Sequence, residues 1–125
     1  MVDLIHGELS YKVIGILYQV YNVIGPGFQE KYYQKAIAKV FEKKGVPFLE
    51  QVKVNLDING VMIGRYYIDF VVDQRIVLEI KSKSSFSLKD IKQVLGYLKK
   101  SRLEVGLLAA FSSEGLKIKR ILRGL

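Results

Sequence analysis

Two short apolar runs constrain this chain more than any other feature. Tyr66-Tyr-Ile-Asp69-Phe-Val-Val72 and Ile76-Val-Leu-Glu79-Ile-Lys81 read as consecutive strands, each carrying acid where a buried strand should carry none. Strand side chains alternate between faces. Ile76, Leu78 and Ile80 therefore point one way, and Val77, Glu79 and Lys81 the other. The turn between the strands then sets a test. A strict two-residue turn at Asp73-Gln74 would oppose Asp69 to Leu78. A three- or five-residue loop, or a bulge, would oppose Asp69 to Glu79. A shared metal ion requires the second arrangement, and we expect it.

The surrounding chain reads as α-α-β-β-β-α-β-β. Apolar residues recur at helical spacing from Ser10 to Ile24, through Val13, Ile14, Leu17, Val20 and Tyr21. Gly25-Pro26-Gly27 stops that helix. A second helix is predicted from about Phe28 to Lys44, with Tyr33, Ile37, Val40 and Phe41 inward, Glu30 in its first turn and Gly45 as its C-terminal cap. Phe48 to Ile58 alternates, with Val52, Val54, Leu56 and Ile58 expected to face the core. Asn59-Gly60 is a strong hairpin signal, and Val61 to Val72 follows as a strand. Ser87-Leu-Lys-Asp90 resembles a capping box and opens a third helix with Leu88, Ile91, Leu95 and Leu98 as its expected core stripe. Glu104 to Phe111 suits a buried strand, and Leu116 to Leu122 a final short one.

At 125 residues, half of them hydrophobic, the chain is expected to form one domain spanning 1–125. It has no apolar run of the ~20 residues a membrane span needs, so no membrane association is expected. It has no cysteine, which excludes disulfides and thiolate metal sites and fits a cytoplasmic location. Residues 81–125 hold eleven Lys/Arg against three Asp/Glu and carry the whole net charge of +8. A basic half beside a neutral half suits a polyanion-facing surface, and a solvated charged face is the plain alternative.

Magnesium takes one or two protein carboxylates and otherwise keeps water. Asp69 and Glu79 can supply them, with the backbone carbonyl of Ile80 as a further ligand. Such an ion, Mg²⁺ or Mn²⁺, polarises a phosphate and activates water, and Lys81 can stabilise the charge developing on phosphorus. Glu30 can bind the metal through water, and Gln93 can orient the water or a phosphate oxygen. Lys83, Lys89, Tyr97 and Lys100 are candidates for holding nucleic acid. The competing reading makes Glu79–Lys81 a surface ion pair of little worth. Asp69 argues against it, because an unpaired charge in an apolar strand is costly. There is no Walker-type loop, and His6 has no visible partner.

Gly27-Phe-Gln-Glu30-Lys-Tyr-Tyr33 matches the motif naming the small GxxExxY proteins, which are placed in the PD-(D/E)XK nuclease superfamily. The resemblance also runs through Ile24-Gly-Pro-Gly-Phe28, Gly64-Arg-Tyr-Tyr-Ile-Asp69-Phe70, Leu78-Glu-Ile-Lys81-Ser82, Gln93-Val-Leu-Gly-Tyr97-Leu98, Val105-Gly-Leu-Leu108 and the Lys-Ile-Lys-Arg-Ile tail. It implies a restriction-endonuclease-like α/β core, a mixed sheet flanked by helices, with a magnesium site on the central hairpin. Asp69, Glu79 and Lys81 match D…(D/E)-x-K. Glu30 matches the acid of the first core helix, and Gln93 with Tyr97 matches the Q-xxx-Y pattern. Ile68 stands where proline is usual, and Ser112-Ser-Glu-Gly115 departs from an Asn-Phe-Gly-type ending.

Residues and resemblance together lead to a metal-dependent nuclease hydrolysing phosphodiester bonds in DNA. The alternative is a nucleic-acid-binding module that keeps the fold without the chemistry, and a third reading is a structural subunit acting on another protein. A homodimer is expected, since so small a nuclease needs a second copy to hold both strands of a duplex.

Overall fold

The computed structural model describes residues 4–124. Helices α1 (Gly7–Ile24) and α2 (Glu30–Lys44) lead into strands β1 (Phe48–Ile58), β2 (Val61–Val72) and β3 (Ile76–Lys81). Helix α3 (Leu88–Ser101) and strands β4 (Val105–Ser112) and β5 (Gly115–Leu122) complete the chain. The five strands form one sheet in sequential order, β1 through β5. All neighbours are antiparallel except β3 and β4, which are parallel and joined through α3. The fold is the expected mixed sheet flanked by helices, of the restriction-endonuclease-like type.

Two apolar clusters sandwich the sheet. On one face α1 and α2 bury Val13, Leu17, Tyr33, Ile37 and Phe41 against Phe70, Leu78, Ile80 and Phe111. On the other, α3 buries Val94 and Leu98 against Val77, Leu108 and Ile121. A buried leucine or phenylalanine contributes about 1.5–3 kcal/mol, so the two layers jointly fix the central strands. Tyr33 and Phe111 stack with ring centroids 4.2 Å apart, tying α2 to β4.

Gly106 shows how closely α3 approaches. A Cβ placed there would lie 2.5 Å from Val94 Cγ1, and a β-branched side chain has little freedom to retreat. Gly106→Ala should therefore lift α3 from β4 and cost about 1–3 kcal/mol, measurable as a lower urea midpoint. An unchanged midpoint would show that the helix can shift without penalty.

Three expected burials do not hold. Leu56 and Ile58 are exposed rather than inward. The pairing of β2 with β3 covers only Phe70–Val72, so the distal parts of β1 and β2 run on as a two-stranded ribbon beyond the sheet's β3 side. Leu88 is also exposed, and Val94 takes its place in the α3 stripe. The first turn of α3 lies over the polar end of β3, where Asp90 turns inward in place of an apolar side chain. Helix α1 starts at Gly7, three residues before Ser10, and α2 starts at Glu30, two residues after Phe28.

Candidate active site

Strand parity is settled by the turn. Val72 pairs with Ile76, leaving Asp73, Gln74 and Arg75 as a three-residue loop. Asp73 and Gln74 take left-handed φ values of 49° and 54°, and Arg75 N–H closes the turn on the Val72 carbonyl at 2.9 Å. Counting back through Val71↔Val77 and Phe70↔Leu78 places Asp69 opposite Glu79.

At that point the ladder gives way to side chains. The Asp69 N–H donates to Glu79 Oε1 at 2.6 Å, and the Ile80 N–H donates to Asp69 Oδ2 at 2.8 Å. Each carboxylate thus takes a backbone donor from the opposite strand, satisfying groups that would otherwise be buried unpaired. On the outer side, pairing passes from Glu50↔Phe70 to Val52↔Ile68 without a Gln51–Asp69 rung. Gln51 has φ 49° there, as a local irregularity in the strand requires.

Asp69 and Glu79 are only 8% and 5% exposed. Burial, reinforced by the neighbouring Asp69 charge, pushes Glu79 up from 4.5 to about 8. The Asp69 N–H and Lys81 oppose that shift without cancelling it. Burial also raises Asp69, with Glu30 adding to it and Ile80 N–H, Lys81 and Gln51 working against it. Two buried acids with raised pKa values hold protons tightly unless a cation compensates them.

Lys81 Nζ lies 3.8 Å from Glu79 Oε2 and 3.8 Å from Asp90 Oδ1. Asp90 also pairs with Lys83 at 2.5 Å and closes the Ser87 capping box, accepting the Ser87 N–H at 2.9 Å. Burial alone would raise Asp90, but its bonds from Lys83 and Ser87 outweigh burial and hold it at about 2. The sequence showed Asp90 only as a capping residue, and its hold on two lysines depends on where α3 starts relative to β3.

Glu30 reaches the same end of the sheet, its Oε1 accepting the Ser82 N–H at 3.3 Å. Three parts of its motif have distinct physical tasks. Gly27 takes φ 96° in the loop before α2, a backbone position that favours glycine. Tyr33 is fully buried, and its hydroxyl donates to the Gly25 carbonyl at 2.7 Å. Glu30, between them, is left at the exposed helix N-terminus, where the dipole favours an acid.

Besides Asp90, two residues around Asp69 were not expected at the site. Gln34 donates to Asp69 Oδ1 at 2.6 Å, and Gln51 donates to Gln34 Oε1 at 2.7 Å. The i,i+4 spacing from Glu30 could have flagged Gln34. Nothing local marks Gln51.

The other candidates make no hydrogen bond to Asp69 or Glu79 among the described residues. Gln93 lines a groove with Leu56, Tyr66 and Lys89. Its backbone carbonyl accepts the Tyr66 hydroxyl at 3.2 Å, but its side chain bonds to neither acid among the described residues. Tyr97 is half-buried against the α3-side apolar cluster, and burial raises its hydroxyl. Lys100 donates to the Asn55 carbonyl on β1.

The donor set can accommodate a magnesium ion only in its sparse form. Among the described residues no three acids or histidines converge closely enough to form a cage. Asp69 and Glu79 instead offer a buried pair, and magnesium needs no more than one or two carboxylates.

The solved structure of the protein SSO0001 is similar at TM-score 0.56 and 19% identity over 96% of this chain, which spans 60% of that protein's length. An alkaline exonuclease, LHK-Exo, from Laribacter hongkongensis is similar at TM-score 0.52 and 12% identity, over 99% of this chain and 73% of its own. At such identities the likeness is one of fold. No curated protein matches the sequence significantly. A family model does match, over residues 7–121, taking in both helices before the hairpin, the opposed acids and the strands beyond them, and by that match the chain belongs to the PD-(D/E)XK nuclease superfamily.

Proposed function

We propose that this chain is a nuclease of the GxxExxY type that hydrolyses phosphodiester bonds in DNA with Mg²⁺ or Mn²⁺. The observation that carries the reading is the buried Asp69–Glu79 pair, opposed across the hairpin with Lys81 3.8 Å from Glu79. Asp69, Glu79 and the Ile80 carbonyl would hold the metal ion, with Glu30 reaching it through water. When bound, the ion supplies polarisation of the scissile phosphate and acidification of the attacking water.

The protein's own groups do the positioning. Gln34 and Gln51 hold Asp69 Oδ1, and Ile80 N–H holds Oδ2, fixing the rotamer of that carboxylate. Asp90 holds the Lys81 ammonium beside the acids without neutralising them. A fixed positive charge there favours the transition state, in which negative charge on the phosphoryl oxygens grows. Lys83, Lys89, Tyr97 and Lys100 would contact the nucleic acid, and Gln93 would reach the phosphate or water from the groove. A second copy would serve the other strand of a duplex.

The test compares DNA cleavage in Mg²⁺ or Mn²⁺ with cleavage in chelator, beside a salt-dependent binding assay. Cleavage should require the metal and vanish in Asp69→Ala. Undiminished cleavage by that variant would sink the assignment. Binding without any metal-dependent cutting would favour the non-catalytic module.

A further inference from the structure

Charge counting places the basic surface in residues 81–125, but the fold gathers a second one on α2. Lys31, Lys35 and Lys39 recur at four-residue intervals, which aligns them along one helix face. All three are exposed. The acid paired with this row is Glu42, 4.0 Å from Lys39 with both side chains solvated, a pairing of little strength.

Beside this row two aromatic rings stand half out of the protein. Phe28 is 45% and Tyr32 49% exposed. Their rings meet edge to face, with centroids 6.3 Å apart, and Lys31 Nζ lies 5.2 Å from the Tyr32 ring centre. Phe28 and Tyr32 wall an apolar groove of about 570 Å³ with Ile24, Ala36 and the stems of Lys35 and Lys39. That volume is typical of clefts that take small ligands or parts of larger ones.

The groove adjoins the cleft of Glu30. Phe28 also lines the cleft that contains Glu30 and Ser82, and its carbonyl accepts the Ser82 hydroxyl at 2.6 Å. Ser82 directly follows Lys81. One ring therefore bridges the end of β3 and the α2 groove.

We infer that the Phe28–Tyr32 groove and the Lys31–Lys35–Lys39 row form a track for an unpaired strand of DNA leaving the site. Bases stack on the two rings, and phosphates follow the lysines. Aromatic faces beside a basic row are the combination that binds single strands without base-specific hydrogen bonds. A protein helix would suit the apolar floor equally well but leaves the lysine row unexplained, and a second copy would bring the same positive charge against it. A track of this kind makes the preferred substrate a duplex with a single-stranded tail, which deepens the nuclease reading and rests on it.

The experiment measures binding by anisotropy in chelator, so that cleavage plays no part. The probes are a blunt duplex and the same duplex with a tail of about ten nucleotides, near the site size of one single-strand-binding fold. Phe28→Ala/Tyr32→Ala should weaken tailed-duplex binding about tenfold or more, the size of one or two lost base stacks, and change blunt-duplex binding less than about twofold. Lys35→Glu/Lys39→Glu, at two exposed positions, should do the same, and the loss should grow as salt falls. Equal losses on both probes, unchanged affinity for the tail, or no DNA binding by the unaltered protein would overturn the track. So would loss of a dimer in the aromatic variant with tail binding intact. Cleavage of the blunt duplex in Mg²⁺ by the unaltered protein is scored separately: its failure would count against the nuclease reading, and loss of tail selectivity would not.

Discussion

Glu79→Gln should raise the stability of the metal-free protein at pH 8 by about 2–4 kcal/mol while removing metal-dependent cleavage. Glutamine has the shape of glutamate and keeps an oxygen for the Asp69 N–H now held at 2.6 Å. What it removes is a charge 5% exposed beside a second buried acid. The sign follows from linkage. Glu79 titrates near 4.5 when unfolded and near 8 when folded. Between those values the folded state binds more protons, so stability falls as pH rises through that window. The metal-free protein should be more stable near pH 5 than near pH 8, and the variant should lose most of that slope. Mg²⁺ at pH 8 should stabilise the unaltered protein, as any ligand selective for the folded state does, and should leave the variant unmoved. Urea midpoints across pH 4.5–8.5 with and without Mg²⁺ provide the check. Parallel slopes for the two proteins would show that Glu79 is not the group being strained.

Lys81→Ala should cost about 2–4 kcal/mol of transition-state stabilisation, read as a fall in kcat/KM, and leave binding of DNA nearly unchanged. The structure adds a partner test. Asp90 pairs with Lys81 at 3.8 Å and Lys83 at 2.5 Å and caps α3. Asp90→Asn should cost about 1 kcal/mol of folding stability near neutral pH, because its carboxylate sits at about 2 against an ordinary 3.8 while water partly screens its pairing with the half-exposed Lys83. The sign is opposite to that of Glu79. A depressed pKa contributes stability above about pH 4 that is lost as pH falls toward 2. The unaltered protein should therefore weaken on both sides of about pH 4–5, for two different carboxylates. A variant retaining acid sensitivity below pH 4 would transfer that role to another acid.

Much of this was legible from residue order. Alternation in Ile76–Lys81 put Glu79 and Lys81 on one face, and the parity condition at Asp73–Arg75 reduced the opposition of Asp69 and Glu79 to the length of one loop. The three-residue loop met that condition. The α-α-β-β-β-α-β-β order was equally accessible, because each element's period and its Gly, Pro or Asn-Gly punctuation are local properties. Burial at the ribbon tip and at Leu88 was not. Alternation shows that a strand has two faces, but it cannot show where the sheet beneath one of them ends.

The sequence by itself determined the acids, their spacing and the face each would occupy, because backbone geometry converts spacing into direction without reference to the rest of the molecule. Only the tertiary structure decided that the β2–β3 ladder yields to carboxylates at Asp69, that Gln34 and Gln51 hold one of them, and that Asp90 holds Lys81 and Lys83. It also brought the Phe28 ring, at the head of the lysine-bearing α2, against the cleft of Glu30 and Ser82. These depend on distances between elements far apart in sequence, which arise only when helices and sheet pack against one another.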